Sequence, residues 1–445
     1  IFCLKRTGVF APLFSINAAK RRSQGQCRHM SEPIAIIGAA CRFPGRVTSL
    51  EKYWTLLEQG VDAVTCLPPD RCSLERFFSA SPNLEGHAYT RAAGVVDDIQ
   101  YFDADFFGIS RKECQGMDPQ QRLALETAWE ALESALIAPS SLKGSQTGVY
   151  MGSSNTDMST RNPDDPAAMS AYTMTGISLG VIANRISYLL DLHGPSMTID
   201  TACSSSLVAV HQACEALRCG RVGLAIAGGV NALLVPHPFI GLSQAHMLSP
   251  DGRCKSFDAS GNGYVRSEGA GAVILKPLSR ALKDKDAVLA VIAGSGVNSD
   301  GRTTGISLPN AKAQAALLRD VYNDFNLDKA KLAYLEAHGT GTAAGDPIEA
   351  AAIGTAFGKE SLRGRPLLMG SVKANIGHLE PAAGMAGLLK GLLVLRRGKV
   401  PPNIHFTTPK PAIDVAKLNL TVPTRLEALP DLGGDELIGV NAFGF

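Results

Sequence analysis

Short apolar runs alternate along the chain with longer segments whose apolar residues recur at helical spacing, a pattern that predicts an α/β fold. Ile34–Gly38 reads as a first strand. Asp118-Pro119-Gln120-Gln121 reads as a helix start, with Asp as N-cap, Pro at the first helical position and a capping box. Leu125, Ala128, Trp129, Leu132 and Leu136 then share one helical face. Thr147–Gly152 is a further strand, and Ser196–Thr201 another, running into a helix that carries Leu207, Val210, Cys214 and Leu217. After residue 285 the pattern starts again. Ala287–Gly294, Leu332–Ala337 and Leu367–Val372 read as strands, Ala311–Tyr322 and Pro381–Leu395 as helices, and Asp346-Pro347-Ile348-Glu349 as a second capping box. A chain of 445 residues exceeds the size at which one core keeps growing. Two similar halves are therefore expected, 30–285 and 286–445, sharing one body because no low-complexity linker divides them.

Composition narrows the function classes. With 45% hydrophobic and 19% charged residues the chain is globular rather than disordered. A formal charge of +2 gives no reason to expect a nucleic-acid or membrane partner. Residues 1–29 stand apart, with six basic residues and no acid, while the remaining 37 basic residues face 41 acids. This stretch is read as a leader outside the fold, upstream of Met30; organelle targeting is the second reading of it, and the cytoplasm is the expected location. Ten cysteines without a C-x-x-C or a Cys/His cluster suit free thiols in a reducing compartment and no metal site. Residues 222–250 carry no charge, yet Gly228-Gly229, Asn231 and Pro236-His237-Pro238 interrupt them, as in a buried strand feeding a loop rather than a membrane span.

Three segments carry chemistry. In Thr201-Ala202-Cys203-Ser204-Ser205-Ser206 a thiol sits on a strand-to-helix turn, where the helix dipole is expected to lower its pKa and backbone N–H groups can hold an oxyanion. Cys203 could equally be one more small core residue. In Glu336-Ala337-His338-Gly339-Thr340-Gly341-Thr342 a histidine ends a strand, two glycines permit a ligand close to the backbone, and Thr340 and Thr342 can bond an amide-containing arm. In Lys373-Ala374-Asn375-Ile376-Gly377-His378 the second histidine precedes a helix, whose N-terminus would keep the imidazole neutral. Lys373 and Glu349 taken singly can be a solvated strand-end charge and a capping acid. Together, one thiol and two imidazoles just past strands of an α/β fold make a nucleophilic acyl site with two neutral hydrogen-bond donors.

The chain resembles the ketosynthase domain of modular (type I) polyketide synthases. The likeness is carried by Pro33–Gly38 with Cys41-Arg42-Phe43-Pro44-Gly45, by Met117–Leu123 ending in Trp129-Glu130-Ala131-Leu132-Glu133, and by Asp200–His211, His338–Glu349, Lys373–His378 and Val440–Phe445. It covers about residues 32–445. The resemblance implies a thiolase-like layered αβαβα fold and a homodimer. It implies a β-ketoacyl synthase cycle: an acyl chain passes from the phosphopantetheine arm of an acyl carrier protein to Cys203, and a malonyl-type thioester then loses carbon dioxide and condenses with it. In this cycle His338 and His378 stabilise the decarboxylation, Lys373 pairs with Glu349 in support, and the backbone of Cys203 and Phe445 holds the condensation oxyanion. No metal or bound cofactor is implied, and an acyltransferase domain acts in cis or in trans. The chain ends at Phe445, where the family continues with a glycine-rich turn and a final strand. Related readings are a fatty-acid synthase ketosynthase, a thiolase or a coenzyme-A-using relative, a non-catalytic dimerisation module, and a cysteine hydrolase. The presence of both histidines argues against the thiolase-type alternatives.

Overall fold

The computed structural model describes residues 1–6, 32–161, 166–358 and 364–444. Eleven strands form its main sheet: β1 (Phe2–Lys5), β2 (Ile34–Arg42), β3 (Gly148–Gly152), β4 (Ser196–Ile199), β5 (Ala225–Asn231), β6 (Gly269–Pro277), β7 (Ala290–Ser295), β8 (Leu332–Glu336), β9 (Leu367–Gly370), β10 (Leu420–Thr421) and β11 (Leu437–Val440). Their order is β10-β9-β8-β11-β1-β7-β2-β6-β5-β3-β4. Within it the sequence β2-β6-β5-β3-β4 is repeated as β7-β1-β11-β8-β9, with the same antiparallel and parallel pairings in the same places. The two similar halves expected from the restarting pattern are therefore present, and β2 and β7 join them antiparallel.

Helices supply the remaining layers. α1 (Pro119–Ser134) and α2 (Gly180–Leu190) cover one outer face, α4 (Ala311–Asp324) and α5 (Gly345–Ile353) the other, and α3 (Ser205–Arg218) and α6 (Ala383–Arg397) lie between the halves. The result is the layered αβαβα arrangement. Leu207, Val210, Cys214 and Leu217 of α3 are all buried, and thirteen consecutive residues of α6, Ala383–Leu395, are buried with them. A helix hydrophobic all round in this way belongs in the middle of a fold.

Several local expectations change. Residues 1–29 were expected outside the fold, but Phe2–Lys5 is a central strand; residues 7–29 lie outside the described residues. The reason is visible in the repeat. β1 stands where β6 stands in the first half, antiparallel to both neighbours, and the apolar run Ile1-Phe2-Cys3-Leu4 fills that slot fully buried. The cationic character of the segment begins only at Lys5. Leu136 does not join the apolar face of α1: it lies past the helix end with φ 55° and is 89% exposed. Neither capping box forms. Gln120 and Gln121 bond to Asn155, Thr175 and Gly176, and the acids of 346–349 bond to loops described below. Residues 222–250 form β5 and a short helix, His237–Gln244, and no described helix is long and apolar enough to cross a membrane.

Candidate active site

The repeat brings the chemistry together. Cys203 lies between β4 and α3, and Lys373–His378 lies between β9 and α6, which are equivalent connections in the two halves. Their helices start in contact. The Ser206 Oγ accepts the Met385 N–H at 3.1 Å, and a Cβ on Gly384 would lie 2.6 Å from Leu207 Cγ. A Cβ on Gly229 would lie 2.5 Å from Ser206 Cβ and 3.3 Å from Ala382 Cα, so β5 approaches this crossing only because glycine is there.

Backbone strain sits at Ala202, with φ 50°, which turns the chain so that Cys203 faces a cavity of about 340 Å³. The Thr201 N–H donates to Ser205 Oγ at 2.9 Å and Ser205 Oγ donates to Ala202 O at 2.6 Å, which fixes the turn. Ala202, Leu242, Tyr264, Arg266 and Glu380 line the same cavity. Asn441–Gly444 closes over the turn, since a Cβ on Gly444 would lie 2.4 Å from Thr201 O. Phe445, expected to lend its backbone to an oxyanion, lies outside the described residues. A larger depression of about 540 Å³, between Gln100, Asp103, Arg111 and Arg122, holds none of the expected residues.

The expectation that Cys203 has a lowered pKa does not hold. Burial pushes the thiol up to about 12, the Glu380 carboxylate adds to this, and Lys373 opposes it. α3 begins at Ser205, past the sulfur, and enclosure of the thiol outweighs its dipole.

His338 and His378 meet edge to face, with ring centroids 5.3 Å apart and planes at 82°. Tyr264 lies against His378 at 5.1 Å and Phe443 against His338 at 6.0 Å. Both imidazoles are held well below the ordinary histidine range, first by burial and then by the positive charge of Lys373; His378 adds to the effect on His338, and Arg266 adds to the effect on His378. The neutrality expected from a helix N-terminus is thus present, but burial and cations cause it. The Glu380 N–H donates to His378 Nδ1 at 3.0 Å, which places the ring proton on Nε2. The His338 Nδ1 is enclosed without a hydrogen-bond partner among the described residues.

Glu349 and Lys373 are close to the histidines but are not a direct pair. The Glu349 carboxylate accepts the N–H groups of His338 and Gly339, both at 2.8 Å, and Asn441 Nδ2 at 3.1 Å. Its oxygens are committed to holding the His338 loop, so the expected ion pair is replaced by a longer-range interaction; Lys373 feels Glu336 more strongly than Glu349. Asp346 similarly accepts the N–H groups of Phe257 at 2.6 Å and Gly341 at 3.0 Å. Thr340 and Thr342 join hydroxyls at 2.9 Å on the same loop.

Five residues around these loops escaped the sequence reading. Glu336, quoted only as part of a motif, accepts Lys390 Nζ at 2.7 Å, Tyr334 OH at 2.5 Å and the Val372 N–H at 2.6 Å. A lone lysine in the otherwise apolar run Ala386–Leu395 was the available signal. Asn441 and the Arg266–Glu380 pair had no such mark.

A thiol on a cavity wall, with Tyr264 of that wall 5.1 Å from the His378 ring and His338 against His378, on a repeated αβαβα frame, can be compared with known proteins. Residues 31–281 match the family model for the beta-ketoacyl synthase N-terminal domain, and residues 289–407 that for the C-terminal domain. The chain belongs to the β-ketoacyl synthase family. A phenolphthiocerol/phthiocerol polyketide synthase polypeptide of Mycobacterium tuberculosis is 47% identical over 414 residues, 93% of this chain and 23% of the relative. Another polypeptide of the same synthase, from the same species, is 46% identical over 431 residues, 96% of this chain and 23% of the relative. This ketosynthase thus spans about a quarter of the curated relatives it matches. Among solved structures, the oxazolomycin ketosynthase domain of Streptomyces albus gives a TM-score of 0.88 at 39% identity, covering 93% of this chain and 72% of that one. The ketosynthase from module 6 of the bacillaene synthase of Bacillus subtilis gives 0.85 at 37%, covering 93% and 70%. These likenesses make it a ketosynthase of the polyketide-synthase kind, an enzyme of acyl-transferring condensation.

Proposed function

We propose that this ketosynthase joins a malonyl-type extender to an acyl chain held on Cys203, both delivered on the phosphopantetheine arm of an acyl carrier protein. The observation that carries the proposal is the pair of neutral imidazoles, 5.3 Å apart, joined to the wall of the Cys203 cavity by Tyr264, which lies 5.1 Å from His378. In loading, the Cys203 sulfur takes the acyl group and its proton goes to the departing pantetheine thiol. With its thiol pushed up to about 12, Cys203 rests protonated, so deprotonation accompanies the transfer. In the second stage the bond from the malonyl α-carbon to its carboxyl group breaks. Carbon dioxide leaves, and the electron pair becomes an enolate on the thioester. His378, bearing its proton on Nε2, and His338 donate to that oxygen. Such donors are typically worth about 3–4 kcal/mol each. The α-carbon then attacks the Cys203 thioester, the carbon–sulfur bond breaks, and the thiolate takes up a proton.

The condensation oxyanion is assigned to the backbone of Cys203 and Phe445, the carrier's arm to Thr340 and Thr342, and orientation to Lys373 and Glu349. The enzyme works as a homodimer, with the outermost strand β4 and its half-exposed Met197 as the candidate contact, and an acyltransferase in cis or in trans supplies its extender. The test is intact-protein mass spectrometry with acyl-pantetheine thioesters, followed by carbon dioxide release from a malonyl thioester. Cys203→Ala should lose the adduct, and Cys203→Gln should release carbon dioxide without elongation. An adduct that persists at another cysteine in Cys203→Ala would defeat the assignment.

A further inference from the structure

His378 can donate from Nε2 only while something keeps its Nδ1 in the accepting role. The group that does so is the backbone N–H of Glu380, two residues on, and Glu380 holds that N–H in place from the left-handed region, with φ 50°. A glutamate gains nothing locally from such a conformation. Its side chain supplies the restraint. Glu380 Oε1 accepts Arg266 Nε at 2.6 Å, and Oε2 accepts Arg266 Nη2 at 2.9 Å and Asn231 Nδ2 at 3.2 Å. The first two form a bidentate fork, which sets direction as well as distance.

Arg266 is itself fixed. It is 3% exposed, its guanidinium lies 4.7 Å over the Phe239 ring, and its carbonyl accepts the Gly94 N–H at 3.0 Å. Its backbone forms a parallel bridge with His378, and the neighbouring Val265 carbonyl accepts the His378 N–H at 2.7 Å. Ring and restraint thus hang from one strand segment. A buried ion pair is a poor source of stability compared with an apolar pair of the same size, so its presence on this cavity wall calls for a geometric role.

We propose that the Arg266–Glu380 pair is the positioning element of His378: it clamps the Glu380 backbone in its left-handed turn and thereby locks the imidazole as the Nε2–H tautomer aimed at the extender oxygen. The inference rests on the proposed role of His378 in decarboxylation. Arg266 and Glu380 are positioning residues, and neither exchanges a proton with substrate.

The test exploits glycine, which adopts positive φ without penalty. Glu380→Ala loses the clamp and keeps the strain; Glu380→Gly combined with Arg266→Met loses the clamp, relieves the strain and leaves neither partner of the pair without the other. Nitrogen-15 spectra of histidine-labelled protein, with His378 assigned through His378→Gln, read the tautomer directly and need no turnover. Wild type should show a single Nε2–H form, Glu380→Ala a mixture, and the double variant a return to Nε2–H. Decarboxylation of a malonyl thioester should fall about 100-fold in kcat with KM within about threefold for Glu380→Ala, and recover to within about tenfold of wild type in the double variant. A pure Nε2–H signal in Glu380→Ala, or a double variant as mixed as the single, overturns the clamp. A correct tautomer series without decarboxylation by the wild type would instead fail the parent reading of His378 and leave the clamp standing.

Discussion

The buried pair Lys390–Glu336 offers a quantitative test of how the histidine loops are held. Both side chains are 1% exposed and meet at 2.7 Å, with Lys390 also 5.6 Å from the centroid of the Tyr334 ring. Glu336 further accepts Tyr334 OH and the Val372 N–H, and Val372 leads directly into Lys373–His378. Lys390→Met removes the cation but leaves the carboxylate in a dry core, which should cost about 3–5 kcal/mol. Glu336→Gln strands the ammonium instead and should cost a similar amount, on the order of 3 kcal/mol or more. Combining them leaves a neutral pair whose glutamine oxygen can still accept the Val372 N–H. The double variant should therefore lose only about 1–2 kcal/mol, the cost of one neutral hydrogen bond and some packing. Urea unfolding followed by circular dichroism gives the three values, and the non-additivity should exceed about 2 kcal/mol. If the two single costs simply add, Glu336 and Lys390 are not a mutually neutralising unit, and the account of how residue 372 is anchored fails.

Three further outcomes are expected. Leu4→Asp places a charge in the fully buried centre of β1 and should destabilise the fold by several kcal/mol, on the order of the cost of an unpaired buried charge, read as a lowered unfolding midpoint; an unchanged midpoint would mean β1 does not occupy its slot. Gly229→Ala should cost about 1–3 kcal/mol by pushing α3 and α6 apart, and should slow decarboxylation as well; full stability would contradict the 2.5 Å approach to Ser206. Burial raises the Asp346 carboxyl to about 7, above its usual 3.8, so between those values the folded protein binds more protons than the unfolded chain. Asp346 therefore makes stability fall as pH rises from about 4 to about 7. Asp346→Asn should flatten the slope of the thermal midpoint against pH in that window, and an unaltered slope would refute it.

The fold was legible in sequence, and the three side chains proposed to react could be picked out, because each is marked by something local. Strands and helices announce themselves by period; Cys203 and His338 each lie just past a strand and precede small residues, and His378 lies on the loop between a strand and a helix. What stayed hidden depends on enclosure or on long-range pairing. The thiol was expected to be acidic from its place near a helix start, yet its pKa is set by how completely the fold surrounds it, which no six-residue motif records. Glu349 read as a capping acid because its own helix was the only partner in view; the N–H groups it serves are ten and eleven residues back. β1 was missed because its partners are residues 291–295 and 437–440, and its four apolar residues stand beside a basic stretch that looked like a leader.

The internal repeat explains how residues from both halves come to the candidate site. A connection from the outer parallel strand to the central helix occurs once in each half, and because α3 and α6 start against each other, the two connections face each other across a few ångströms. One half places Cys203 on that connection and the other places His378, while the neighbouring strand β8 leads to His338. The groups differ in chemistry but share an environment. Burial is the largest influence on all three, raising the thiol and lowering both imidazoles, so each rests uncharged. An uncharged site suits the proposed reaction, which creates negative charge transiently and then discharges it into a new carbon–carbon bond. In the proposed cycle an imidazolium would protonate the carbanion in place of guiding it.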